Sequence, residues 1–208
     1  MIIDRPVGTT WTIEGASEKL LMRSELPGAR VFDLAADALR SARKRGVSRE
    51  ERLVLALPAS WLVNSPANSR VLKRWALPPD SDTWLALLGE IETHGPSFDT
   101  QAPSLIAALG GEPCVVEAVS KIAALLEPDV VPLMPEPARQ FVLGEDTNDG
   151  DAFVKMVNWF ASTVEAHARD LARLAQAHEP VALSAAQVLD RLLWFDSEGH
   201  RHFVATAK

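Results

Sequence analysis

Five carboxylates, one cysteine, one lysine and one arginine are the chemistry-bearing residues of the stretch from Gly110 to Gly144, GGEPCVVEAVSKIAALLEPDVVPLMPEPARQFVLG. The layout of this stretch suggests a site. A Gly-Gly turn leads into an apolar helix, which Glu127-Pro128-Asp129 breaks sharply. A short extended Val-Val-Pro-Leu follows, and a second helix opens near Glu136. Asp129 reads as a turn residue after proline. Glu136 stands at a helix start, where the dipole favours an acid whatever else it does. Arg139 lies one turn beyond it. Cys114 also falls at a helix start, where a thiolate is favoured. No partner histidine is identifiable, so a small buried residue is the plainer reading.

Elsewhere the chemistry is thinner. A single cysteine excludes an internal disulfide and any multi-cysteine metal site. The five histidines include no HExxH-like pair, and phosphate loops, nucleophile elbows and dinucleotide fingerprints are absent. The acidic loop from Glu145 to Asp151 lacks the ligand order and closing glutamate of an EF-hand. Helix capping by Asp149 and Asp151 explains it better. His200-Arg201-His202 reads either as an anion-binding element or as a surface tail. Neither metal nor cofactor is expected.

Net charge is −7 but uneven. Residues 1–75 carry 13 Lys and Arg against 8 Asp and Glu, a net +5, and residues 76–208 carry 8 against 20, a net −12. Arg40, Arg43, Lys44, Arg45, Arg49 and Arg52 cluster, followed by Arg70, Lys73 and Arg74. A solvated helix face is the plain account, and a phosphate-binding patch is the other. No apolar run approaches the roughly 20 residues of a membrane span. The N-terminus lacks a basic region followed by an apolar core. No membrane contact and a cytoplasmic location are the expectations, and oligomeric state stays open.

The elements that would position these residues are helical. Residues 1–15 read as irregular or extended, anchored by Trp11 and Ile13. Helices are expected from Ser17 to about Glu25 and over Val31–Leu39 into a basic last turn capped by Gly46. Ser48 with Glu51 forms a capping box opening a helix through about Leu57, which Pro58 should stop. Another helix follows Asn64-Ser65-Pro66 and buries Val71, Leu72 and Trp75. After Pro78-Pro79-Asp80, helices are expected from Ser81 or Asp82 to His94, near Pro103–Leu109, as one long run from about Ala152 to His178, and after the cap Ser184. Asp190-Arg191 reads as an internal ion pair. Most of the six tryptophans fall at helical core spacing. No β-alternation and no fixed-period repeat is apparent. The expectation is a single all-α domain over 1–208, of about nine or ten helices, with candidate lobes at 1–78 and 79–208.

Glu127-Pro128-Asp129-Val130-Val131-Pro132-Leu133-Met134-Pro135-Glu136 resembles the segment R-P-D-V-F-P-V-D-T-H-V of the helix-hairpin-helix DNA glycosylase superfamily. The match is close from Pro128 to Pro132. Leu189-Asp190-Arg191-Leu192-Leu193-Trp194 is similar to a C-terminal helix of the superfamily's compact relatives, and the resemblance covers about residues 100–195. Gly110 and Gly111 stand in the hairpin region. Met134 falls where the family has its catalytic aspartate, with Glu136 the nearest carboxylate. Val115 falls where the lyase subclass has its lysine, and Lys121 lies too far along the helix to replace it.

The resemblance implies an all-α DNA-binding hydrolase. It would excise a damaged or modified base by hydrolysis without lysine-dependent strand cleavage, in repair or in defence against foreign DNA such as phage. The target nucleotide would be flipped into a pocket and stacked on Trp159, Trp194 or Phe195. Glu136, or else Asp129, would stabilise the oxocarbenium-like sugar or activate water. Arg139, Arg43, Lys44, Arg45, Arg70, Lys73 and Arg74 would hold phosphates. The alternative is a non-enzymatic α-helical module that binds DNA or a protein. An enclosed carboxylate with an aromatic wall marks the enzyme, and an exposed apolar or basic patch marks the module.

Overall fold

The structure, a computed structural model, describes residues 1–24, 27–61, 81–94, 102–109, 115–144, 149–177 and 183–197. Among them are ten α-helices and one two-stranded sheet. The expected all-α class is present. The expected helix after Pro66, the Gly110-Gly111 turn, Cys114 and the tail with His200 and His202 lie outside the described residues.

The fold is built around a helix that is buried on every side. Helix α6 (Val115–Leu126) has the sequence VVEAVSKIAALL, and residues 116–126 are all buried. Its polar residues Glu117, Ser120 and Lys121 share one stripe, and the helix is enclosed along that stripe as well. Helices α2 (Pro27–Lys44), α3 (Arg49–Trp61), α5 (Ala102–Leu109) and α8 (Gly150–Ala166) pack against it. Its two interior charges pair with each other, Lys121 Nζ lying 3.1 Å from Glu117 Oε1 one turn away. That pairing removes most of the cost of burying either alone.

Around this axis, α4 (Ser81–His94) packs on α3 and α5, and α7 (Glu136–Leu143) packs on α8. Helix α10 (Ala185–Asp196) packs on α8, on α9 (Ala168–Ala177) and on α1 (Ala16–Ser24). The buried apolar residues from Ile3 to Leu193 form one connected cluster.

Local rules account for most helix ends. Ser48 and Glu51 make the expected capping box, Glu51 N–H donating to Ser48 Oγ at 3.2 Å and Ser48 N–H to Glu51 Oε2 at 3.1 Å. Asp149 caps α8 by accepting Ala152 N–H at 2.8 Å. Ser184 and Gln187 form a second capping box at α10. Gly144 ends α7 in the left-handed region at φ 78°. A Cβ there would lie 2.6 Å from Val7 Cγ1, so glycine is required by both torsion and space.

One expectation is sharpened and two are corrected. Residues 1–15, expected to be irregular or extended, hold two short extended strands joined by a turn. Strands β1 (Ile2–Asp4) and β2 (Thr10–Thr12) pair antiparallel with Ile3 opposite Trp11. With one inward residue per strand, no alternation was long enough to read. Trp11 and Ile13 are buried as expected. The hairpin is held from several sides. Trp11 Nε1 donates to Asp196, Trp159 Nε1 donates to the Asp4 carbonyl, and the Arg5 guanidinium lies 4.4 Å over the Phe141 ring.

Helix α3 does not stop at Pro58 but runs to Trp61. Proline there removes one hydrogen bond to the carbonyl four residues back. That residue, Val54, is on the solvent face, where water can take the bond. The long run from Ala152 to His178 is two helices broken at His167, with φ −113° and ψ 17°. Its carbonyl accepts the Leu171 N–H that opens α9, and Leu171 is buried. Periodicity alone carried no sign of that bend.

Candidate functional site

The two stretches that carry the glycosylase resemblance meet in one small cleft. Pro128 and Val131 line it from one side, Gln187, Asp190 and Arg191 of α10 from another, and Phe32, Asp33 and Ala36 of α2 close it. It has room for about one water molecule.

Its polar groups face each other across the fold. Arg191 Nη2 donates to Asp33 Oδ2, joining α10 to α2. Asp190 Oδ1 accepts Leu133 N–H at 2.8 Å. Gln187 Oε1 accepts Ser184 N–H at 3.0 Å. Arg191 and Asp190 therefore each reach beyond α10, a role that the internal-pair reading did not include.

The extended segment after the Glu127-Pro128-Asp129 turn is bonded largely by side chains, and among the described residues no strand pairs with it. Val130 and Val131 N–H return to the Glu127 carbonyl at 3.0 Å, which makes the turn. Leu133 N–H is taken by Asp190, and Met134 N–H by Ser120 Oγ at 3.0 Å. Arg139 Nη1 donates to the Met134 carbonyl at 2.7 Å. Burial makes these partners necessary, because an unmade bond to a buried backbone group costs about 1–3 kcal/mol.

Met134, at the position of the family's aspartate, is 0% exposed and enclosed in the core. The candidate acids are outside. Glu136 is exposed at the first turn of α7, where Gln140 Nε2 donates to its Oε1 at 3.2 Å. The Asp129 side chain is 51% exposed and lies 3.5 Å from Arg40 Nη2. Neither lines the cleft.

Two of the three candidate stacking residues are core. Trp159 and Trp194 are buried, Trp159 with its N–H bonded to Asp4. Phe195 is half-buried and meets the Trp194 ring edge-on at 6.3 Å. Packing in the core thus encloses the Trp159 and Trp194 rings, while Phe195 keeps part of its surface open.

Several described cations of the basic cluster have partners within the chain. Arg43 and Arg52 both reach the Glu127 carboxylate. Arg40 pairs with Asp37 and Asp129. Arg49 Nη1 lies 3.5 Å from the Leu85 carbonyl, and Arg139 is buried. Lys44 and Arg45 remain exposed, and Arg70, Lys73 and Arg74 lie outside the described residues.

Glu127, Ser120, Asp33 and Gln187 were not singled out in the sequence. Only Gln187 carried a local signal, three residues after the cap Ser184. Among the described residues no group of three His, Cys, Asp or Glu side chains is placed to hold a metal ion, and no helix is long and apolar enough to cross a membrane. No protein-family model, curated protein or solved structure matches this chain.

Proposed function

We propose that this chain is a non-enzymatic α-helical module that binds a protein partner. Met134 carries the reading. At the position where the resemblance calls for a catalytic carboxylate stands a methionine sealed in the core, its backbone held by Ser120 and Arg139. Glu136 and Asp129 cannot replace it from their present places, because general acid–base work requires hydrogen-bond reach of the reacting atom inside a dry pocket. A protein partner is favoured over DNA because phosphate contacts need cations that are free to pair. Arg40, Arg43 and Arg52 are already paired with carboxylates of this chain.

The glycosylase reading is second, favoured by one observation. The segments 128–131 and 187–191 converge on a shared cleft with carboxylates at its rim. A base would enter only after that cleft widened well beyond one water.

One experiment separates the two. The protein is incubated with duplexes carrying oxidised, alkylated, deaminated and hypermodified bases, and abasic sites are scored by alkaline cleavage. DNA affinity is measured by anisotropy at several salt concentrations. The module reading expects no base release and no tight, salt-steep DNA binding. Release abolished in Glu136→Gln or Asp129→Asn would overturn it and install the glycosylase. Tight, salt-sensitive binding without release would replace the protein partner by DNA.

A further inference from the structure

We draw no further inference here: the strongest candidate, the small cleft lined by Asp33 of α2, Pro128 of the turn and Asp190 and Arg191 of α10, belongs to the site already described and has room for only about one water molecule.

Discussion

Glu127 joins three parts of the fold, and its removal should be costly. Its carboxylate receives both Arg43 from α2 and Arg52 from α3, while its carbonyl closes the turn into the extended segment. Glu127 and Arg52 are 7% and 5% exposed, so Glu127→Ala leaves a buried guanidinium without this counter-charge. Breaking a buried pair from one side costs about 3–5 kcal/mol. The Arg43 side chain is half-exposed and recovers hydration, so we take the lower end, about 3 kcal/mol. For a chain of this length that corresponds to a fall in melting temperature of roughly 6–12 °C. Urea denaturation at 25 °C should give the free-energy loss directly, with an unchanged m-value. Arg52→Ala should behave similarly, Arg43→Ala should lose no more than about 1 kcal/mol, and a Glu127/Arg52 double-mutant cycle should show coupling. A Glu127→Ala loss below about 1 kcal/mol would refute the reasoning, since it would mean that the charge is hydrated despite its burial.

Further outcomes follow from single contacts. Gly144→Ala should cost about 1–2 kcal/mol for the left-handed torsion alone, and more for the Val7 contact, read as a lowered melting temperature. Met134→Asp, which restores the carboxylate that the resemblance calls for, should unfold the protein and confer no base release, because it buries a charge in an apolar core. Circular dichroism beside the abasic-site assay checks both halves. Asp149→Ala should cost about 1 kcal/mol through loss of the α8 cap, and Asp149→Asn should recover most of it. Trp159→Phe should lose about 1 kcal/mol and raise amide exchange in β1 and β2, since the indole N–H holds Asp4.

Much of the architecture was legible because its causes are local. The Ser48–Glu51 box, the Asp149 cap and the Ser184 cap each lie within a few residues of the helix they start. The apolar spacing of 115–126 already read as a helix. Elements too short for a period were not legible, as in the three-residue strands. Nor were bends set by neighbours, as at His167.

Sequence alone thus determined a helical protein, the place of most helix starts, and a turn followed by an extended segment at 127–135. Only tertiary structure decided what that segment's residues do. It buried Met134, left Glu136 and Asp129 on the surface, and turned Trp159 and Trp194 into core. It also paired Arg43 with Glu127, 84 positions away, and Arg191 with Asp33, 158 positions away. Caps and periodicity act between near neighbours along the chain, whereas the partner of a charge is whichever group packing brings beside it. That is why Arg43 and Arg52, which read along the chain as members of a basic cluster, meet on Glu127 in the folded protein.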